Sequence, residues 1–316
     1  MPELSRTWRP TFPLDVVGVL SPLRRGRGDP CLRHDDGGRT WLAANTAEGA
    51  GTLVFRVVPR DGSVEARAWG GGARSLLDGL PALLGDADGG ADGADSAASA
   101  AFVAHHDAVA RARRRNPLLR LTACGRVWDV LVPAVLEQKV TSTEARRSWR
   151  ELCRWFGEPA PGPAVAASAG LRVPPTPSAV RSLTEWQWHR VGVDLRRRTT
   201  LVAAARVAHR LEDAVTLGGE RGRALLRTVP GIGVWTAAEI AQRAWGDPDA
   251  VSFGDFHVPS LVGYALEGRP LDDEGMARVL APYAPQRQRV VRYLEAAGHT
   301  RPRFGPRYPV RDYRAI

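Results

Sequence analysis

The chain has 316 residues, room for one large domain or two ordinary ones, and 44% of them are hydrophobic, enough for a packed core. It contains no run of 18 apolar residues, and Met1–Asp15 lacks the charged-then-apolar order of a signal peptide, so a membrane span is excluded and a cytoplasmic, nucleoid-associated protein is expected. Forty-four basic against 34 acidic residues give a net charge of +10, which favours a polyanionic partner, nucleic acid before others.

Taken in chain order, residues 53–68 alternate apolar side chains (Leu53, Phe55, Val57, then Val64, Ala66, Ala68) around the turn Pro59-Arg60-Asp61-Gly62, the pattern of a β-hairpin. Leu76, Leu77, Leu80 and Leu83 predict a helix after it, so residues 1–84 read as a small α/β domain with an antiparallel sheet. Residues 85–100 contain only Gly, Ala, Asp and Ser, a composition that cannot bury a core and predicts a flexible linker.

Beyond it the period becomes helical, over a domain set at 101–300. Thr141 and Glu144 stand in capping-box spacing, and Ala145, Trp149, Leu152, Cys153 and Phe156 share one helix face ended by Gly157. Thr176-Pro177 reads as a cap followed by Pro at the first helical position, and residues 194–214 carry apolar residues at helical spacing. Between these helices, the Pro-rich stretch 158–177 reads as a long, partly mobile loop. The basic stretch 301–316 is set apart as a tail, either lying along a nucleic acid or without structure.

Cys31, Cys124 and Cys153 are far apart in sequence and form no C-x-x-C pair, which leaves a disulfide framework, a zinc site and an iron-sulfur cluster unsupported. They are expected to be small buried hydrophobes. Lys139 is the only lysine of the chain, so lysine chemistry has one side chain to use.

The chemistry-bearing stretch is Leu226 to Thr236, LRTVPGIGVWT. Leu225, Leu226 and Val229 end one helix, Pro230-Gly231-Ile232-Gly233 make a tight turn, and Ala237, Ile240, Ala241 and Ala244 mark the inner face of the next. This is a helix-hairpin-helix. Its glycines allow positive φ and leave no side chain between turn and ligand, so the amides around Gly231, Gly233 and Val234 can converge on a phosphate oxygen at a helix start. Ile232 is expected to be the buried anchor.

Twenty residues on, the stretch 249–258 reads DAVSFGDFHV, and the whole of LLRTVPGIGVWTAAEIAQRAWGDPDAVSFGDFHV resembles, in order and spacing, the helix-hairpin-helix DNA glycosylases with a Gly-Pro-rich loop and a catalytic aspartate. PAVLEQKVTSTEAR resembles their helix-loop that enters DNA, LAPYAPQRQRVVRYL their last core helix, and the N-terminal region that of the inducible bacterial 3-methyladenine glycosylases. The resemblance implies an α+β protein, a small antiparallel-sheet domain followed by an all-α glycosylase domain, acting as a monomer on double-stranded DNA with damaged bases.

It implies Asp255 as the catalytic carboxylate, which would stabilise the oxocarbenium-like state and orient water, and which as an Asp before a helix would also serve as an N-cap. Gly231, Gly233, Val234 and Thr236 would hold the DNA backbone, and Gln138 or Lys139 would be the wedge that fills the gap left by a flipped base. Trp235, Glu239 and Tyr293 (or its neighbour Glu295) would line the base pocket. Strand-cleaving relatives carry a lysine where this chain has Trp235, so a monofunctional enzyme using water is expected. The Arg227, Val229 and Ile232 carbonyls would hold a structural Na⁺ or K⁺, with no other cofactor required and no iron-sulfur cluster. Arg287 and Arg196–Arg198 are further candidate phosphate contacts or solvated surface. Damaged, alkylated purines are the expected substrate; an 8-oxoguanine glycosylase and a non-catalytic damage-binding protein are the alternatives.

Overall fold

The alternation around residues 53–68 is realised as two long strands of a five-stranded sheet. In the computed structural model, which describes residues 3–88, 102–164, 166 and 170–300, β1 (Leu4–Trp8), β2 (Leu32–His34), β3 (Thr40–Thr46), β4 (Gly49–Val57) and β5 (Val64–Gly70) run antiparallel in the order β1-β5-β4-β3-β2. The hairpin register sets Leu53 opposite Ala68 and Phe55 opposite Ala66, so these side chains share the inner face. Leu76–Leu83 is helical but broken by Gly79 into Ala73–Asp78 and Leu80–Leu83.

Both sheet faces are covered. The inner face shares one core with helix α1 (Val127–Leu136), including Leu131 and Val135. On the outer face, Trp41, Val54 and Trp69 pack with Ala160, Leu171 and Val173 from the Pro-rich stretch. That corrects the expectation of a mobile loop over its described part. The reason is that a sheet apolar on both faces needs a second cover, and this stretch supplies it.

The linker expectation also changes at its first residues. Asp88 is buried, takes both guanidinium arms of Arg289 and accepts the Leu121 N–H at 2.8 Å, while Arg120 donates to the carbonyls of Gly85 and Asp88. The order set by these partners, about two hundred residues away in the case of Arg289, cannot be read from a Gly/Ala/Asp/Ser composition. Residues 89–100 of the expected linker, Ala101 of the expected helical domain and the tail 301–316 lie outside the described residues.

The α1 start is tied to the rest of the fold by carboxylates. Glu212 accepts the Val127 and Trp128 N–H groups (2.7 and 2.8 Å), and Asp129 accepts Asn45 N–H and Nδ2 (3.0 and 3.1 Å) from β3. Burial pushes the Asp129 carboxyl above its ordinary range despite Arg126 and Asn45. Helix α2 (Ser142–Phe156) opens on the expected Thr141/Glu144 capping box, and Thr176 caps Pro177–Ser182. The 194–214 stretch forms α3 (Leu195–Arg206) and then two short helices, Ala208–Leu211 and Asp213–Leu217.

Then follow α4 (Gly219–Leu226), α5 (Val234–Ala244), α6 (Val258–Leu266) and α7 (Arg287–Ala296). A second apolar cluster, with Phe102, Val109, Val262, Val279, Val290 and Leu294, seats α6 and α7. All three cysteines are buried, as expected, but Cys31 and Cys153 are neighbours, their sulfurs 3.8 Å apart and unbonded. Among the described residues no helix is long and apolar enough to cross a membrane.

Candidate nucleic-acid interface and active site

Helices α4 and α5 are the two arms of the hairpin. Ile232 and Val229 are buried beneath the turn, and Ile232 N–H donates to the Val229 carbonyl at 3.0 Å, which closes the turn around its anchor. Gly231 has φ +91°, and a Cβ there would lie 1.9 Å from Thr200 Oγ1 of α3, so this position requires glycine on two counts. Gly233 is different: a Cβ would meet nothing within 4 Å.

Gly233 is also the N-cap of α5, with no side chain capping its amides. Val234, the first helical residue, is 50% exposed. The first-turn amides of a helix have no intrahelical acceptor, and with the helix dipole behind them they form an anion site. Here the residues that open the helix, Gly233 and Val234, are exposed.

The path from α5 to α6 brings Asp255 back to the hairpin. Gly254, with φ +87°, donates its N–H to Asp273 (2.8 Å), and Asp255 follows directly. Asp255 Oδ1 accepts the His257 and Val258 N–H groups (2.6 and 3.0 Å), capping α6 as expected. Its Oδ2 accepts the indole Nε1–H of Trp235 at 2.9 Å. Each oxygen of the carboxylate is therefore held from a different element, while lone pairs remain for a substrate or water. The indole of Trp235, which is half-buried, thus turns its Nε1 edge toward Asp255.

The loop between α1 and α2 lies against the same turn. Gln138 Nε2 donates to the Gly231 carbonyl and to Thr236 Oγ1, both at 2.9 Å. Gln138, one of the two wedge candidates, thus clasps loop to hairpin, and Thr236, expected at the DNA backbone, is 3% exposed and faces this clasp. Lys139 is exposed and has φ +55°, the one positive φ of a non-glycine residue among those described.

Tyr293, expected in the base pocket, sits in the core. It is 1% exposed and packs on Phe102 with ring centroids 5.8 Å apart, so it belongs to the α6/α7 core and not to an open pocket. Glu295 is paired with Arg292 at 2.7 Å. Glu239 lies one turn beyond Trp235 on α5, paired with Arg243. Of the candidate phosphate arginines, Arg197 is buried and bound to Leu136 O and Asp194, Arg198 pairs with Glu185, and Arg287 grips Asp249 through both nitrogens; Arg196 stays exposed.

Of the expected cation carbonyls, that of Val229 already accepts the turn bond and has one further lone pair to offer. Among the described residues no group of three or more His, Cys, Asp or Glu side chains could hold a metal ion. Residue-type reading missed Thr200 beneath Gly231, Ser252 beside Glu239, and Arg25 and Glu137, which form an ion pair at 3.0 Å. Only the four-residue spacing Trp235, Glu239, Arg243 could have pointed there.

No family model matches the sequence, and no curated protein matches it significantly. Solved structures do match. A 3-methyladenine DNA glycosylase from Archaeoglobus fulgidus aligns with a TM-score of 0.70 at 14% identity, over 92% of this chain and 96% of that one. The apo form of an 8-oxoguanine glycosylase/lyase from Clostridium acetobutylicum aligns with a TM-score of 0.67 at 10% identity, over 93% and 96%. The same enzyme in complex with double-stranded DNA containing cytosine opposite 8-oxoguanine gives 0.63 at 10% identity, over 90% and 91%.

Proposed function

We propose that this chain, which has the fold of the helix-hairpin-helix DNA glycosylases, is a monofunctional DNA glycosylase that flips a damaged, alkylated purine out of duplex DNA and hydrolyses its N-glycosidic bond. The observation that carries the reading is the bond from Trp235 Nε1 to Asp255 Oδ2. It joins the hairpin and the carboxylate in one site, and at the hairpin position where strand-cleaving relatives carry a lysine it sets an indole.

In this reading the hairpin amides of Gly231, Gly233 and Val234 hold a phosphate, and a cation on the Arg227, Val229 and Ile232 carbonyls would stiffen the turn. Lys139 fills the stack from which the base leaves. The base then stacks on the face of Trp235, a contact that a cationic alkylpurine strengthens. As the bond breaks, positive charge grows on the sugar beside Asp255, whose carboxylate is already oriented by three N–H donors and needs no rearrangement. The same carboxylate accepts the proton of the attacking water, and the products are free base and an intact abasic strand.

The test is single-turnover release of free base from duplexes carrying alkylated purine, 8-oxoguanine, hypoxanthine or uracil, with borohydride present in parallel. Release of alkylated purine without a trapped protein-DNA adduct is expected. Release of none of these bases contradicts the glycosylase reading, and a covalent adduct contradicts the monofunctional one.

A further inference from the structure

One turn beyond Trp235 the wall of the site changes from aromatic to charged. Trp235, Glu239 and Arg243 recur every four residues, so they share one face of α5, with steps of about 6 Å along the axis. Glu239 Oε2 pairs with Arg243 Nη1 at 2.8 Å, and its Oε1 accepts Ser252 Oγ at 2.5 Å, while Gln242 Nε2 donates to Ser252 Oγ at 2.8 Å. Ser252 lies three residues before Asp255. The carboxylate of Glu239 is thus fixed by the same segment that carries the catalytic candidate.

A second ion pair, Arg25 with Glu137, stands in the same field: Arg25 and Arg243 each interact with both Glu137 and Glu239, and Arg243 also with Glu295. Burial opposes the Arg243 charge, but these carboxylates more than offset it and hold its pKa above the ordinary value. The arginines are largely engaged by the protein, Arg243 Nε on the Pro22 carbonyl and Nη1 on the Glu239 carbonyl and carboxylate. In the second pair the arginine is the more buried partner, 7% against 24% for Glu137. In the first pair the two are alike, 11% for Arg243 and 13% for Glu239, and the Glu239 oxygens keep lone pairs beyond their bonds to Ser252 and Arg243.

Burying ion pairs costs desolvation, and stacking alone would not require them beside the base site. An edge of the base that presents donors would use the acceptors they hold in place. A purine held at C1′ by Asp255 and stacked on Trp235 extends along the α5 face toward Glu239. A guanine-type ring offers N1–H and N2–H side by side, a pair that the two oxygens of one carboxylate can accept in parallel. An adenine-type ring sets its N1 acceptor beside the N6 donor and would face carboxylate lone pairs with a lone pair. Alkylation at N7 adds positive charge to the guanine ring and strengthens its N1–H and N2–H as donors to the carboxylate.

Resting on the glycosylase reading, we propose that Glu239 is the specificity-determining residue, accepting the N1–H and N2–H donors of a flipped guanine-type base and making N7-alkylguanine the preferred substrate over 3-alkyladenine.

Duplex DNA treated with dimethyl sulfate carries both 7-methylguanine and 3-methyladenine, so one single-turnover reaction reports both. The wild type is expected to release 7-methylguanine faster. Glu239→Gln, which keeps the shape and the Ser252 contact, is expected to lower 7-methylguanine release about tenfold or more and 3-methyladenine release no more than about threefold. An equal loss on both bases assigns Glu239 a structural role and overturns the proposal, as does a Glu239→Gln or Glu239→Leu variant, folded by thermal melt, that keeps the wild-type ratio. Failure of the wild type to release either base would instead bring down the glycosylase reading beneath it, a result distinguishable from an unchanged ratio.

Discussion

Two helix starts lie on either side of the site and solve the same physical problem in opposite ways. Helix α6 has its first amides satisfied internally, by Asp255 Oδ1 on the His257 and Val258 N–H groups. Helix α5 begins at Gly233 with no side-chain cap, in a protein that caps α2, α3 and several short helices with Thr or Asp. An N-cap is worth on the order of 1 kcal/mol. In the proposed function the start without a cap offers its amides to an external anion, and at the other start the Asp255 carboxylate is oriented by the amides it accepts. On that proposal binding and chemistry are divided between two turns joined by the Trp235–Asp255 bond.

The comparison can be broken most sharply at the closed start. Asp255→Asn keeps a capping side chain but removes the charge, so base release should fall about a thousandfold while thermal stability changes by less than about 1 kcal/mol. A parallel loss of stability would mean that the residue is only a cap. At the open start, Gly233→Asp supplies the missing cap in open space. Stability should hold or rise by a few tenths of a kcal/mol, whereas affinity for duplex DNA in a titration should drop about a hundredfold. Unchanged affinity would remove the phosphate from this turn.

Smaller effects sharpen the picture. Gly231→Ala forces a methyl onto Thr200 at a φ that disfavours alanine, and denaturant unfolding should show a loss of about 1–3 kcal/mol. Gly233→Ala should show none, since nothing stands within 4 Å. Trp235→Phe keeps a stacking face but drops the bond to Asp255 Oδ2, and single-turnover release should slow by about tenfold; a rate equal to wild type would make the two halves of the site independent.

Much of this division was legible in the chain. The tight turn, its buried Ile232, the Thr141/Glu144 box and the capping role of Asp255 all follow from local rules, where residue type and spacing determine backbone geometry. The β4–β5 hairpin was legible for the same reason. What stayed hidden depends on partners far away in sequence. Gln138 looked like a wedge because nothing local reveals the Gly231 carbonyl 93 residues on. Tyr293 was set in the pocket by resemblance of the last helix alone, and nothing local reveals its packing on Phe102. The Pro-rich stretch looked mobile until the outer sheet face it covers was seen. The Asp88 end of the expected linker was misread likewise, because its Arg289 partner comes from the last helix.

The division of labour itself is tested most directly by one measurement, single-turnover base release from an alkylated duplex with Gly233→Asp and Asp255→Asn enzymes raised to saturation. Saturation removes the binding deficit and leaves the chemical step. Gly233→Asp should then approach the wild-type rate, while Asp255→Asn stays about a thousandfold slower at any concentration. An Asp255→Asn enzyme that releases base at the wild-type rate would contradict the assignment of the chemistry to this carboxylate.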